Sequence, residues 1–203
     1  MERERALKQL KEMQKYTRHM RLAAEEWKHE WQTLIAITMS AQSRDETTIP
    51  IAQNLFNRYP TLEKLSRAKY ADVLWIFRGL NYNKTKAKNV IAAAKMLIEK
   101  FNRKVPYEIE ELIELPGVGR KTANVFVSEC GKHGLGIDTH VSYISQKLQW
   151  TKHSNAHKIE HDLKELFPKS SWNKVNPVLV RFGKTYTSRK KKDELLEKIR
   201  KIK

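Results

Sequence analysis

Cysteine is almost missing from this chain of 203 residues: Cys130 stands alone. One thiol excludes an internal disulfide framework and suits a reducing interior. No apolar run reaches the length of a membrane span and no signal-peptide pattern opens the chain, so the expectation is an intracellular protein without a membrane partner. Internal repeats and low-complexity linkers are also lacking. Acidic residues are few beside basic ones, 23 against 40, which leaves a formal net charge of +17 and an isoelectric point near 9.9. An excess of that size points to a polyanionic partner, most simply a nucleic acid. The length suffices for one or two domains with a real core.

What is present concentrates between Glu110 and His140. Leu112, Ile113 and Leu115 close a short helix. Pro116 and Gly117 stop it, because proline has no N–H to donate and glycine accepts a positive φ. Gly119 opens a second helix, with Ala123, Val125, Phe126 and Val127 on its apolar faces. Two helices joined by Gly117-Val118-Gly119 form a hairpin whose turn presents backbone N–H groups at the start of the second helix. Such a start attracts a phosphate without reading any base. Gly117, Val118, Gly119 and Arg120 are therefore candidate contacts to a nucleic-acid backbone. Lys121 follows in the first turn, and a lysine amine, when neutral, is a nucleophile. Asp138 comes after the Gly134–Gly136 turn, placed to cap the next helix. Singly, these features also fit an ordinary inter-helix turn, a solvated lysine and a cap. Their conjunction in one short span is far more specific.

That conjunction, Leu115-Pro116-Gly117-Val118-Gly119-Arg120-Lys121-Thr122-Ala123 followed by Asp138-Thr139-His140, resembles the helix-hairpin-helix DNA glycosylases of the endonuclease III type. The resemblance runs from about residue 5 to 187 and is strongest over 112–141. It implies an all-α, two-lobed fold with the active site in a cleft between lobes. One lobe would be a helical bundle over residues 23–133. The other would join residues 1–22 to 134–203. The resemblance makes Lys121 the Schiff-base nucleophile and Asp138 the second catalytic group, and adds His140 to the DNA contacts. The implied activity is removal of damaged bases, oxidised pyrimidines first, from double-stranded DNA, with β-elimination at the abasic site. The protein would act as a monomer on DNA containing damaged bases or abasic sites, in the cytoplasm or nucleoid, or in a nucleus. A monofunctional mismatch or uracil/thymine glycosylase on the same fold is the nearest alternative, and Lys121 argues against it. A non-catalytic DNA-binding module is the alternative of another class, and Asp138 together with Gln42 argues against that.

Along the chain, Leu7, Leu10 and Met13 mark an amphipathic helix over 2–16. A buried helix runs from His29 toward Ser40-Ala41-Gln42-Ser43-Arg44-Asp45, which also resembles the family. There Gln42 would fill the gap left by an extruded nucleotide, since an amide can both donate and accept. Asp45 reads as the cap of a helix through Tyr59, and Thr61 as the cap of the next. Leu80 and Tyr82, in the loop 79–86, are the candidate wedges beside the orphaned base. Lys84, Lys86 and Lys88 could touch phosphates. A long helix over 87–101 follows.

Beyond the hairpin, Asp138 to Trp150 reads as a helix. Tyr143 stands where the family usually carries arginine. Ser154 reads as the cap of a helix through Leu166, and His153, His157 and His161 share a face at four-residue spacing. A solvated face is the better reading of them than a metal site, because no cysteine accompanies them. After a helix over 172–186 the resemblance breaks. Thr187 occupies the first of four positions where the family carries iron–sulfur cysteines, and none follows, so the reading includes no metal and no cofactor. Arg189-Lys190-Lys191-Lys192 leads instead into Leu195, Leu196, Ile199 and Ile202, a helical pattern whose basic run, Lys190 included, offers phosphate contacts.

Overall fold

A computed structural model describes residues 2–202, and among them every regular element is helical. The chain divides into two units, one made of Met1–Met20 and Gly131–Lys203, the other of Arg21–Cys130. The expected all-α class is what the structure has.

The first unit opens with α1 (Glu2–Lys15), which buries Ala6, Gln9, Leu10 and Met13 on one stripe. Gln9 is a polar member of that stripe, and both ends of its amide are paired. It accepts from Trp150 Nε1 at 2.7 Å and donates to the Arg200 carbonyl at 3.1 Å. A buried amide is tolerated only when paired in this way.

The second unit is built around α2 (Glu30–Ser40), whose residues from Trp31 to Met39 are all buried. A helix apolar on every side must be surrounded, and α3 (Asp45–Arg58), α6 (Asn83–Glu99) and α8 (Arg120–Glu129) surround it. Between them lie α4 (Leu62–Ser66), α5 (Tyr70–Ile76) with a 3₁₀ turn over Phe77–Gly79, and α7 (Ile109–Leu112). Leu34, Met39, Leu55, Phe77, Leu97, Leu112 and Phe126 fill the core, each contributing about 1.5–3 kcal/mol by burial.

The first unit resumes with α9 (Thr139–Lys147), α10 (Ala156–Leu166), α11 (Trp172–Thr185) and α12 (Arg189–Arg200). Its core joins Leu10 and Met13 to Val141, Ile144, Leu163, Leu179 and Phe182. α12 packs on α1 and α9. It sinks Leu196 and Ile199 into that core, and its Asp193 accepts from the Tyr143 hydroxyl and pairs with Lys147 at 3.0 Å. Tyr143 and α12 thus meet each other.

Some local expectations need correction. α6 starts at Asn83, a full turn before Ala87. α10 is capped by Asn155, which accepts from His157 and Lys158, rather than by Ser154. His153 precedes that helix, so only His157 and His161 share its face. Asp45 is the first residue of α3 and Arg44 its N-cap. Thr61 does cap α4, accepting from the Lys64 N–H at 3.2 Å.

Candidate active site and nucleic-acid interface

In the second unit the hairpin is held from beneath. Gly117 has φ +84°, and a Cβ there would lie 3.0 Å from Asn89 and 3.1 Å from Thr38. Only glycine meets both demands, a left-handed backbone and a close approach to α6 and α2. Val118 is buried, and its N–H bonds to the Leu115 carbonyl at 3.0 Å. Gly119, the N-cap of α8, faces open space. No side chain caps this helix, and its first internal bond is from the Ala123 N–H to the Gly119 carbonyl at 2.9 Å. The helix start is thus shaped to take an anion. Arg120 lies 3.9 Å from Glu110, both exposed, a pair worth little to stability. Lys121 is exposed in the first turn of α8.

Two further turns of this unit carry the other candidates. Gln42 is exposed with φ +54°, and Tyr82 is 66 % exposed with φ +56°. Both therefore stand in the left-handed region that side chains rarely occupy. Leu80 is 5 % exposed and belongs to the core. It is not a surface wedge, which leaves Tyr82 as the side chain that this loop presents. Lys84 and Lys88 are exposed. Lys86 is not a phosphate contact: it is buried, and its Nζ donates to Ser43 Oγ at 2.9 Å.

The first unit contributes Asp138, Lys190 and His140. Asp138 is half-buried at the N-cap of α9, accepting from the Val141 N–H at 2.8 Å. The ring of His140 lies against α11 at Gly183, where a Cβ would come within 2.2 Å of its Nδ1. Gly183 is therefore the space in which His140 is seated. Lys190 is exposed in the first turn of α12. At its neighbour Lys191 a groove of about 430 Å³ is lined also by Lys15, Thr17, Arg18, Thr187 and Ser188. Cations crowded at a helix start oppose its dipole, a conflict that a docked polyanion would relieve.

Sequence reasoning missed Ser43, Asn81 and Lys86 as one cluster. The signal was available for Lys86, which sits four residues before Val90 on the inward stripe of α6.

Known proteins bear on this site. The HhH-GPD superfamily, base excision DNA repair proteins, matches residues 35–169. An endonuclease III of Thermotoga maritima is 36% identical over 155 residues, 76% of this chain and 73% of that protein. The endonuclease III of Bacillus subtilis is 32% identical over 158 residues, 76% and 71%. A trapped endonuclease III–DNA covalent intermediate superposes with a TM-score of 0.83 at 29% identity, covering 92% of this chain and 88% of that one. A thermostable thymine-DNA glycosylase, 14% identical with a TM-score of 0.77 over 94% and 89% of the two chains, shares the fold.

The family likeness brings with it a [4Fe–4S] cluster on four cysteines. The single Cys130 lies in the second unit, the sequence holds no other cysteine, and the described residues include no group of three or more potential metal ligands. The residues present do not fit the cluster. The chain belongs to the HhH-GPD superfamily of base excision DNA repair proteins, in its endonuclease III-like branch.

Proposed function

We propose that Lys121 and Asp138 are the two catalytic groups of this base-excision DNA glycosylase and AP lyase, and that its substrates are oxidised pyrimidines in duplex DNA. The observation that carries the reading is the placement of Lys121 two residues beyond the open glycine N-cap of α8, where a phosphate on the helix start brings the sugar chain to the amine. The hairpin and the basic surface hold the backbone, and the damaged nucleotide leaves the stack. Lys121 Nζ attacks the sugar C1′, and the base departs with the electrons of the glycosidic bond. The Asp138 carboxylate stabilises the positive charge that develops on the sugar. The departing base takes up the proton that the attacking amine gives up; the nitrogen lone pair then opens the sugar ring by breaking C1′–O4′, O4′ takes a proton, and a protonated Schiff base remains between Nζ and C1′. Loss of a C2′ proton expels the 3′ phosphate, nicking the strand, and hydrolysis returns the lysine. Gln42 meets the orphaned partner base, Tyr82 replaces lost stacking, and Lys84, Arg120, His140 and Lys190 contact the DNA. The enzyme acts as a monomer in the DNA-containing compartment.

Borohydride trapping tests this. Incubated with duplexes carrying an oxidised pyrimidine, 8-oxoguanine, uracil or a mismatch, the wild type should yield a covalent protein–DNA adduct with the first. Lys121→Ala should yield none while keeping its affinity for undamaged duplex. Robust adduct from Lys121→Ala would assign the attack to another amine. Preferential excision of uracil or mismatched thymine without an adduct would select the monofunctional alternative.

A further inference from the structure

The buried face of α6 runs through Ala87, Val90, Ala94 and Leu97, none of which has measurable exposure. The residue that opens this stripe, one turn ahead of Val90, is a lysine. Lys86 is 6 % exposed, and burial lowers its pKa to about 8. At neutral pH it is still chiefly an ammonium ion where an apolar side chain would pack at no cost. A sequence keeps such a conflict between local rules chiefly at functional sites.

The partners of that ammonium show what it does. Lys86 Nζ donates to Ser43 Oγ at 2.9 Å. Ser43 Oγ also accepts from the Asn81 backbone N–H at 3.3 Å. The Asn81 side-chain amide donates to the Gln42 carbonyl at 2.6 Å, and the Lys86 backbone N–H closes the first turn of α6 on the Tyr82 carbonyl at 3.0 Å. Two turns far apart in sequence are thereby laced together. At the tip of each is an exposed non-glycine residue in left-handed backbone, Gln42 in one and Tyr82 in the other. That conformation persists only where the surroundings over-determine it.

We propose that Lys86, acting through Ser43 and Asn81, is a positioning residue that holds Gln42 and Tyr82 as one two-pronged element for the gap left in the duplex by an extruded nucleotide. The inference rests on the glycosylase reading above. An extruded nucleotide leaves two separate deficits, an unpaired base edge and a lost stacking surface. An amide meets the first and a phenol ring the second. Both can act together only if their spacing is fixed before the DNA arrives, because a prong that wanders must be ordered at the expense of extrusion.

Lys86→Met keeps length and suits the buried stripe, so its melting temperature should equal or exceed that of the wild type. Single-turnover excision from an intact lesion should nonetheless fall about 10²-fold. So should the fluorescence rise of a 2-aminopurine placed beside the lesion, which reports unstacking. Borohydride trapping on a preformed abasic site, where no base must leave the stack, should change far less. Ser43→Ala should reproduce the defect, Ser43→Thr should restore most of it, and Lys86→Met/Ser43→Ala should be no worse than either single change. Wild-type excision by Lys86→Met, or equal losses on lesion and abasic site, would overturn the proposal, as would additive losses in the double variant. If the wild type neither excises nor traps any substrate, the glycosylase reading itself falls.

Discussion

Two helix starts, one in each unit, are finished in opposite ways. α8 begins behind Gly119 with no side-chain cap, while α9 begins behind Asp138, whose carboxylate takes the Val141 N–H. Both ends carry the same partial positive charge. In α9 it is answered from within the chain, which also fixes where the carboxylate stands. In α8 it is left for an anion from outside, with the candidate nucleophile in the same turn. An N-terminus that is stable alone and one that is ready for a ligand thus differ by the residue at a single position.

The largest effects should come from the chemistry at the two starts. Lys121→Ala should lower adduct formation by about 10⁴-fold on lesion and abasic DNA alike. Asp138→Asn keeps the shape of the cap but removes its charge. Base excision should slow about 10²–10³-fold, and activity on a preformed abasic site should suffer less, because the base is already gone. Equal losses for Asp138→Asn on both substrates would erase the distinction drawn between the two groups.

Gly119→Asp would finish α8 in the manner of α9. Its φ of −96° suits an aspartate, and nothing lies within 4 Å of the added Cβ. Stability should hold or rise by a few tenths of a kcal/mol, about the usual gain of aspartate over glycine at this position. Affinity for undamaged duplex, read by fluorescence anisotropy, should drop by about 10–100-fold, since one charge-assisted phosphate contact is worth about 1.5–3 kcal/mol. Unchanged affinity would mean that the open start does not meet the backbone.

Salt dependence separates surface cations from the buried one. Lys84→Ala and Lys190→Ala should each reduce the slope of log affinity against log salt by about one unit. Lys86→Met should leave that slope where it was.

A smaller effect is expected in stability against pH. Burial holds the pKa of the Lys86 ammonium down to about 8, against 10.5 in an exposed side chain. Between those values the unfolded chain binds more protons, so stability rises with pH through this window. The rise, followed by urea unfolding, should be weaker in Lys86→Met than in the wild type.

The hairpin was legible because its meaning is local. Proline, two glycines and the following lysine restrict the backbone wherever they occur, and Asp138 needed only the helix behind it. Leu80 and Tyr82 show where this stops. Both are large and apolar in part, they stand two residues apart, and only the packing of the whole unit decides that Leu80 is buried and Tyr82 is not. Lys86 was hidden for a related reason. Three alternate lysines suggest a row facing phosphate, but helix periodicity turns the middle one inward. Ser154 and Asn155 are both good caps, and nothing short of the backbone itself chooses between neighbours.

The clasp of α12 is built from the chain's own side chains. Leu196 and Ile199 in the core, with Asp193 against Tyr143 and Lys147, form as the chain folds and wait on no cluster assembly. The purified protein should be colourless, and about four irons per chain by metal analysis would refute this. A helix held in this way calls on no thiolate, so an iron chelator should leave the melting temperature unchanged. Excision should likewise withstand peroxide and iron starvation, and its loss under either condition would count against a cluster-free docking of α12.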